Sequence, residues 1–362
     1  MPRELLLRWV TARAKVARSC SPTMKDALAA VAICLLLAAG CGGSVSSSSS
    51  QSGDIGAGLA GPSMLTAAVY ASGVANAAAF AFDDDGRLWV ATADYSDSGN
   101  DGVYLIASSG AAPAQVATGL HTALGLLWYQ QSLYVASKET VDAYSGFDGS
   151  TFASKRTVVA LPSGVGEVNG IALAPDGRMQ LGISAPCDHC TPTIEYSGAV
   201  VSFLPDGTDL RVDATGIRAP IGLAYFPGTS DLFVTMNQRD DLGDATPGDW
   251  LAVVQHGQSW GFPECYGQGG AACAAVPAPV AELDKHAAVS GVAIWNGNAI
   301  VAEWTTGTVQ QVTLAKSGST YTGSVTTLLT GMTNPVPVIV GPDNALYVAD
   351  WTTGTIYRIT SA

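Results

Sequence analysis

Short apolar runs separated by tight polar turns recur along the chain. Each repeat has a small residue or turn, an apolar run of strand length, a turn resembling Pro-Asp-Gly, and a second apolar run. Runs of this length between turn residues predict β-strands. Six copies occur, at 77–92, 124–137, 169–184, 221–236, 290–304 and 336–351.

The spacing of these copies predicts the architecture. The second strands align on Trp89, Tyr134, Gln180, Phe233, Ile300 and Tyr347, at intervals of 45, 46, 53, 67 and 47 residues. Four copies continue into a third strand, as in GTVQQVTL and GTIYRITS. Hairpin strands with a period of about 40–50 residues are typical of propeller blades, which need neighbours to cover their faces. The predicted fold is all-β, a six-bladed β-propeller over residues 63–362.

The N-terminal region predicts export. A short charged segment at Met24 precedes an apolar stretch over residues 27–40, which is too short to span a bilayer. It ends in LAAGCGG, which resembles a bacterial lipoprotein signal over residues 1–41 with Cys41 as the lipidated N-terminus. Ala38 stands where Leu is commoner, so a cleaved secretory signal is the alternative. We therefore expect an exported, membrane-anchored lipoprotein, periplasmic or at the cell surface.

The segment after the signal and the net charge of the chain limit the classes of binding partner. Residues 42–62 are rich in Ser and Gly and are predicted to be a flexible linker. Residues 1–40 contain six Lys and Arg and two Asp and Glu, so their removal changes the formal net charge from −13 to −17. This charge argues against nucleic acid and anionic membrane surfaces as partners, leaving membrane contact to the lipid anchor.

Four cysteines follow Cys41. In an oxidising compartment their proximity along the chain predicts two local disulfides, Cys187–Cys190 and Cys265–Cys273. A metal or redox motif at Cys187–Cys190 is the alternative, but no second CxxC or His pair completes it.

An acidic loop follows the second strand of the fourth copy. It contains Asn237, Asp240, Asp241, Asp244 and Asp249. Carboxylates packed this closely repel each other unless a cation lies among them, and hard oxygen ligands suit Ca²⁺. The alternative is a solvated acidic loop.

Polar residues also precede the innermost strands, where a propeller gathers them at one mouth of its channel. These mouth positions hold Asn76, His121, Glu167 with Asn169, Arg218, Lys285 with His286, and Asn334. Such a convergent polar ring predicts a binding or catalytic site.

Three strings in this region are specific. RAPIGLAYFPGTSDLFVTMNQRDDLGD (218–244), WGFPECYG (260–267) and NGIALAPDGRMQLGISAPCDHC (169–190) resemble the PQQ-dependent soluble sugar dehydrogenases, especially the glucose/sorbosone and pyranose dehydrogenase propellers. The resemblance covers nearly all of residues 65–362. It implies a six-bladed fold, pyrroloquinoline quinone (PQQ) across the channel mouth, and Ca²⁺ beside it.

The resemblance also implies roles for single residues. Arg218 matches the arginine that contacts the quinone, and Asp240 and Asp241 match the acidic pair of the calcium loop. The full candidate metal set is Asn237, Asp240, Asp241 and Asp244, and the further candidate cofactor contacts are Asn169, Lys285 and Asn334. In the family, Ca²⁺ polarises the quinone and a histidine accepts the sugar hydroxyl proton.

The sequence departs from the family at several places. The catalytic histidine position before the third-blade strand holds Gly166 or Glu167, and the Asn after the cofactor Arg is Ala219. Basic residues expected in the fifth- and sixth-blade loops are Thr305 and Asn334. The candidate replacement bases are Glu167, His121 and His286. The alternative for each histidine is a hydrogen-bonded rim residue.

Two further interpretations concern structural roles. Trp304 and Trp351 stand in the repeated strings EWTTGTV and DWTTGTI, and repetition favours blade packing over sugar platforms. For Arg218, a salt bridge with the acidic loop is compatible with cofactor contact.

These observations support three functional hypotheses. The first is a quinoprotein-type dehydrogenase that oxidises an aldose, pyranose or related sugar with PQQ and Ca²⁺ and passes electrons to an external acceptor. The second is a catalytically inactive, calcium-stabilised propeller that binds a glycan or surface partner, which the missing histidine favours. The third, a metal-dependent lactone hydrolase, comes last because the carboxylates cluster in one loop.

Overall fold

The computed structural model describes residues 52–361. They form six four-stranded blades and a short N-terminal hairpin, and one blade gains a fifth strand. Two 3₁₀ turns, Gly243–Ala245 and Ala271–Cys273, accompany the strands. The predicted all-β, six-bladed propeller is therefore confirmed.

The strands follow one another in blade order. The hairpin consists of β1 (Ser52–Gly56) and β2 (Leu59–Pro62), and β3 (Leu65–Ala71) comes next. Blade 1 has β4 (Ala77–Phe82), β5 (Leu88–Thr92), β6 (Asp101–Ile106) and β7 (Ala114–Leu120). Blade 2 has β8 (Gly125–Tyr129), β9 (Ser132–Ser137), β10 (Thr140–Phe147) and β11 (Phe152–Ala160). Blade 3 has β12 (Val168–Leu173), β13 (Met179–Ile183), β14 (Ala199–Phe203) and β15 (Arg211–Thr215).

The second half of the ring repeats this order. Blade 4 has β16 (Pro220–Tyr225), β17 (Leu232–Met236), β18 (Trp250–Val254) and β20 (Ala281–Glu282), while β19 (Gln258–Ser259) pairs in parallel with β15 of blade 3. Blade 5 has β21 (Val289–Trp295), β22 (Asn298–Glu303), β23 (Thr308–Ser317) and β24 (Thr320–Leu329). Blade 6 has β25 (Pro335–Val340), β26 (Leu346–Asp350) and β27 (Thr355–Ser361).

The N-terminal strand closes the ring. Strand β3 pairs with β27 and completes blade 6, so the two ends of the propeller are held in one sheet. The innermost strands contact each other in the cyclic order β4, β8, β12, β16, β21, β25. They therefore surround the central channel.

The small residue of each repeat is explained by this close approach. A Cβ atom at Gly170 would lie 2.6 Å from the carbonyl oxygen of Ile221 on the next blade. At Gly222 the corresponding distance, to Ser290 O, would be 2.5 Å. Glycine lets the innermost strands meet backbone to backbone.

Hydrophobic clusters lie between consecutive blades around the ring. Successive residues of one strand enter different clusters, because side chains alternate between the two faces of a blade. Trp89 packs with Leu133 of blade 2, whereas Val90 packs with Tyr347 of blade 6. Both faces are buried, which explains why the second strands are continuously apolar.

The prediction of a flexible linker over residues 42–62 is wrong for its last part. Residues 52–62 form the β1–β2 hairpin instead of a flexible segment. Ile55 and Leu59 are 6% and 1% exposed and join the cluster between blades 5 and 6. Ala60 also pairs with Thr330 beyond the end of β24. These two apolar side chains give the Gly-rich segment enough burial to fold onto the ring.

The rest of the N-terminal region lies outside the described residues. This applies to the predicted signal segment, Cys41 and residues 42–51 of the linker. Within residues 52–361, no helix has the length and apolar character needed to cross a membrane.

Candidate functional site

A backbone hydrogen bond marks the equivalent mouth position in every blade. The residue after the second strand donates its N–H to the carbonyl of the mouth residue. The donor–acceptor pairs are Ala93–Asn76, Lys138–His121, Ser184–Glu167, Asn237–Ala219, Trp304–Ala288 and Trp351–Asn334. The mouth positions predicted from the sequence in blades 4 and 5 are therefore wrong. Arg218, Lys285 and His286 precede the equivalent positions by one to three residues, because these loops differ in length from the others.

Arg218 is held by the loop that carries the first disulfide. Its Nε donates to Asp188 O at 3.0 Å, its Nη2 to Asp188 Oδ1 at 2.6 Å, and its Nη1 to Asn237 O at 3.1 Å. The carboxylate of Asp188 also accepts the backbone N–H groups of Asp240 and Asp241, at 2.9 and 2.8 Å. Asp188 thus connects Arg218 to the acidic loop, and the expected salt bridge of Arg218 is formed with Asp188 instead of a residue of that loop.

Two carboxylates of the acidic loop have cationic partners within the protein. Arg239 donates to Asp241 Oδ1 and Oδ2 at 2.6 and 2.5 Å, and this bond is the main reason that the pKa of Asp241 is lowered. The guanidinium of Arg239 also lies 4.5 Å from the ring centroid of Tyr266. Asp240 Oδ1 lies 2.8 Å from Nδ1 of His286.

His286 contacts two acceptors. Its Nε2 lies 2.9 Å from Gly243 O, while its Nδ1 faces Asp240. Both ring nitrogens must carry a proton to donate both bonds, which is the imidazolium form. Burial lowers the pKa of His286, but the bonds to Asp240 and Gly243 outweigh it and the pKa is raised. Because both ring nitrogens face acceptors of the protein, neither is directed at a ligand in this structure.

Asp249 is the buried carboxylate beneath this loop. Its side chain accepts the backbone N–H groups of Gln238 at 2.7 Å and Val289 at 3.1 Å, and the residue is 2% exposed. Burial raises the pKa of Asp249 to about 6, against the lowering effect of the two N–H groups. Asp249 therefore joins the acidic loop to the first strand of blade 5.

Of the three candidate bases, Glu167 differs from the two histidines. His121 Nδ1 lies 3.2 Å from Asp97 Oδ1, and Lys138 contacts the other carboxylate oxygen of Asp97. Glu167 is half-buried, and within residues 52–361 its carboxylate forms no hydrogen bond or ion pair. Burial of the Tyr95 hydroxyl raises the pKa of that tyrosine, and the charges of Glu167 and Asp101 add to the effect.

The remaining candidate cofactor residues have local partners. Asn169 is fully buried and its amide donates to Ser184 Oγ at 2.9 Å. Asn334 donates to Trp304 O at 2.7 Å, and Lys285 Nζ lies 3.3 Å from Asp244 O. A fully buried Asn169 does not present its amide to a ligand at the mouth.

Trp304 and Trp351 lie in contacts between blades, which is the packing role that their repetition in the sequence favoured. Trp351 donates from Nε1 to Ala93 O of blade 1 at 2.9 Å. Its ring meets Trp304 edge-on, with centroids 6.1 Å apart. Both disulfides have the expected pairing, Cys187–Cys190 and Cys265–Cys273.

Solved structures resemble this ring along most of its length. The PQQ-bound aldose sugar dehydrogenase of Streptomyces coelicolor has a TM-score of 0.69 at 18% identity, covering 83% of this chain and 100% of that one. The PQQ domain of the Coprinopsis cinerea pyranose dehydrogenase, in its holo form, gives 0.68 at 15% identity, covering 83% and 97%. A calcium structure of a Trichoderma reesei carbohydrate-active enzyme of family AA12 gives 0.70 at 14% identity, covering 84% and 97%. The chain shares their fold. The sequence matches no family model and no curated relative.

The candidate residues for the cofactors of these proteins have partners within the chain. Within residues 52–361, no three His, Cys, Asp or Glu side chains come together as a metal site. Asp241 is paired with the guanidinium of Arg239, and Asp240 faces the ring of His286, so Ca²⁺ would have to compete with both partners. Every nitrogen of the Arg218 guanidinium donates to Asp188 or Asn237, so the polycarboxylate PQQ finds no uncommitted arginine.

Asp188 is a residue of the site that the sequence did not indicate. The motif C-D-H-C drew attention to its cysteines and to His189, whose side chain is 42% exposed and 4.0 Å from Asp241. The only indication in the sequence is that Asp188 lies inside the loop closed by the Cys187–Cys190 disulfide. Its partners could not be identified, because they lie 30 and more residues further along the chain.

Proposed function

We propose that the protein is an exported propeller of the sugar dehydrogenase type that binds a neutral sugar or related polyol at its channel mouth. The observation that carries this proposal is Glu167, the one candidate base whose side chain is uncommitted in the described part of the chain. A carboxylate is a strong acceptor for sugar hydroxyl groups. The formal net charge of −13 favours a neutral ligand over an anionic one.

Glu167 would accept a hydrogen bond from one sugar hydroxyl and, if the protein is an oxidoreductase, the proton of that hydroxyl. It occupies the mouth position of blade 3, where the family places its histidine. A positioned base contributes about 10²–10⁴-fold to such a reaction.

Oxidation with PQQ and Ca²⁺, passing electrons to an external acceptor, is the finer proposal that the resemblance and the structural neighbours support. For these cofactors to bind, Asp188 must release Arg218, and His286 and Arg239 must release the acidic pair. These internal pairs favour the second candidate function, recognition of a glycan or surface partner without turnover.

The deciding experiment is a calorimetric titration of calcium-loaded protein with PQQ, followed by dye reduction with D-glucose, D-galactose, D-xylose and D-sorbitol. Binding of PQQ with reduction supports the dehydrogenase. Sugar binding without reduction supports the recognition protein, and no binding of any of the four sugars contradicts the proposal. In either favourable case Glu167→Gln should weaken the effect, whereas Glu195→Gln, an exposed residue of the same blade, should not.

Export and anchoring are a separate proposal, which rests on the signal-like segment ending at Cys41. Lipidation would fix the mature N-terminus at this cysteine and carry the protein to a membrane. Membrane fractionation and mass spectrometry of the N-terminal peptide test it, with Cys41→Ala as the control. A soluble, unmodified wild-type protein contradicts the anchor.

A further inference from the structure

The backbone of Glu167 is held differently from that of the other mouth residues. Its carbonyl accepts the backbone N–H of Ser184 at 2.9 Å, which is the bond that marks every mouth position. It also accepts a hydrogen bond from Nδ2 of Asn169 at 3.2 Å. Within residues 52–361, none of the other five mouth carbonyls receives a hydrogen bond from a side chain. The Glu167 carbonyl therefore has a second donor that its equivalents lack.

The amide of Asn169 is oriented by two acceptors. Its Nδ2 donates to Ser184 Oγ at 2.9 Å as well as to Glu167 O. Because a backbone carbonyl can only accept, the nitrogen of the amide must be the atom that faces Glu167. Asn169 and Ser184 are 0% and 2% exposed, so water does not compete for these bonds. Asn169, Ser184 and the Glu167 carbonyl thus form one buried unit.

The Asn169 amide is destabilising in one respect. Its Oδ1 atom is buried and has no hydrogen-bond partner in the part of the chain that the structure describes. An unpartnered buried acceptor lowers stability, and an apolar side chain at this position would avoid that loss. The favourable contribution of the amide lies in the bonds that Nδ2 donates to Ser184 and Glu167.

The backbone beside Glu167 is closely packed. A Cβ atom at Gly166 would lie 2.2 Å from Ser184 O, so a side chain at position 166 would require the backbone to shift. The carbonyl of Asn169 meets Gly125 of blade 2, where a Cβ atom would approach it to 2.5 Å. Of the two positions at which the resemblance places a histidine, 167 is therefore the one with room for a side chain.

This support matters because the Glu167 carboxylate has no hydrogen bond or ion pair of its own within residues 52–361. The direction of such a side chain depends on the backbone that carries it. A fixed backbone limits the directions that the carboxylate samples, which reduces the conformational entropy lost when a ligand binds.

We propose that Asn169 is a positioning residue for Glu167, which directs the carboxylate at the sugar hydroxyl by holding the Glu167 carbonyl. This role rests on the proposed function, in which Glu167 accepts a hydrogen bond from the sugar. Asn169 does not touch the sugar, because its amide is fully buried. Ser184 acts with it, since its N–H binds the same carbonyl and its Oγ holds the amide.

The test is an NMR titration, which also follows weak binding, with D-glucose, D-galactose, D-xylose and D-sorbitol. Asn169→Ala removes both donated bonds and should raise the dissociation constant of the tightest-binding sugar about fivefold. In Glu167→Ala there is no carboxylate to direct, so adding Asn169→Ala should change the affinity about onefold. A purely structural role of Asn169 would weaken binding by the same factor in both backgrounds.

The matched control is Thr235→Ala. Thr235 is fully buried in blade 4, where its Oγ1 donates to Ser290 O at 2.7 Å and accepts the N–H of Gly222 at 2.8 Å. It is a buried side chain that holds backbone groups, as Asn169 does, but in a blade that does not carry Glu167. Its loss should lower the midpoint of urea denaturation and leave the sugar affinity unchanged.

Ser184→Ala keeps the test decisive if Asn169→Ala does not fold. It removes one acceptor of the amide and should raise the dissociation constant about twofold. The positioning role is overturned if the folded variants bind the sugar as the wild type does, or if Thr235→Ala weakens binding equally. It is also overturned if Asn169→Ala still weakens binding fivefold in Glu167→Ala.

Failure of the proposed function gives a different result. In that case the wild type binds none of the four sugars, or Glu167→Ala binds them as tightly as the wild type. The positioning role is then overturned together with the proposed function. If Glu167→Ala weakens binding and Asn169→Ala does not, the positioning role alone is wrong.

Discussion

The Asp188 carboxylate lies 2.6 Å from the Arg218 guanidinium and, through its two oxygens, also holds the backbone of Asp240 and Asp241. Because Asp188 stands between Cys187 and Cys190, the disulfide ring limits where this carboxylate can point. One side chain thereby joins blade 3, the mouth arginine and the acidic loop. The arrangement explains how the acidic loop is held against the ring.

The first prediction concerns this carboxylate. Asp188→Asn removes the charge facing Arg218 and turns an amide N–H₂ towards donors that need an acceptor. Since the Arg218 and Asp188 side chains are only 13% and 18% exposed, we expect a loss of about 2–3 kcal/mol in the free energy of unfolding. Urea denaturation measures this as a lower midpoint at unchanged m-value.

The matched control is Asp85→Asn. Asp85 pairs with Arg87 at 2.9 Å, but its side chain is 72% exposed, and such surface pairs contribute about 0–1 kcal/mol. Equal small losses in both variants would mean that Asp188 does not hold the loop.

The second prediction tests whether the first disulfide acts through Asp188. In Cys187→Ser/Cys190→Ser the loop can move, so Asp188 should lose its partners whether or not its charge remains. We therefore expect the effects of the serine pair and of Asp188→Asn on the unfolding free energy to be non-additive, by about 1 kcal/mol or more. Cys265→Ser/Cys273→Ser, in the other disulfide, should combine additively with Asp188→Asn. Additivity in both cycles would separate Asp188 from its disulfide.

The sequence alone predicts the six-bladed ring, but it does not predict how the side chains at the channel mouth pair with each other. The second strands bury both faces, so Trp89 and its equivalents form a pattern that local reasoning can detect. The mouth depends on contacts between distant loops, such as Asp188 with Asp240, which no periodicity reports. The spacing of the loop carboxylates does not show that Asp241 pairs with Arg239 and that Asp240 faces His286. The β1–β2 hairpin was missed because its Gly-rich composition obscured Ile55 and Leu59.

The third prediction is a pH dependence from Asp249. Its pKa is raised from 3.8 to about 6 by burial, so the folded state binds this proton more tightly than the unfolded chain does. Stability from this group is therefore greatest below about pH 4 and falls as pH rises to about 6, by roughly 3 kcal/mol. Urea denaturation at pH 4, 5, 6 and 7 should show this decline.

Other carboxylates also titrate in this range, so the quantity to compare is the difference between wild type and Asp249→Asn at each pH. The stability of wild type relative to the variant should decrease from pH 4 to pH 6 and then level off. A constant difference in stability over this pH range would show that the pKa of Asp249 is not raised.

The fourth prediction concerns the imidazolium of His286. The raised pKa of His286 means that its stabilising bonds are fully present below the unfolded value near 6.5 and are lost as pH rises through the folded value. Proton NMR should find the His286 ring titrating above 6.5, with His286→Gln identifying the resonance. Asp240→Asn removes the charged acceptor at Nδ1 and should lower that pKa. A wild-type value below 6.5, or no change in Asp240→Asn, would contradict the ion pair.

The last prediction concerns the N-terminal hairpin. Leu59 is 1% exposed and packs with Leu329 and Trp295 in the cluster between blades 5 and 6. Leu59→Ala should therefore leave a cavity and lower the unfolding free energy by about 2–5 kcal/mol, which urea denaturation measures. Met64→Ala is the matched control, because Met64 lies just beyond the hairpin and is 61% exposed, so its loss should be under about 0.5 kcal/mol. If both variants were as stable as wild type, the segment would behave as the linker that its composition predicted, and blades 5 and 6 would not depend on it.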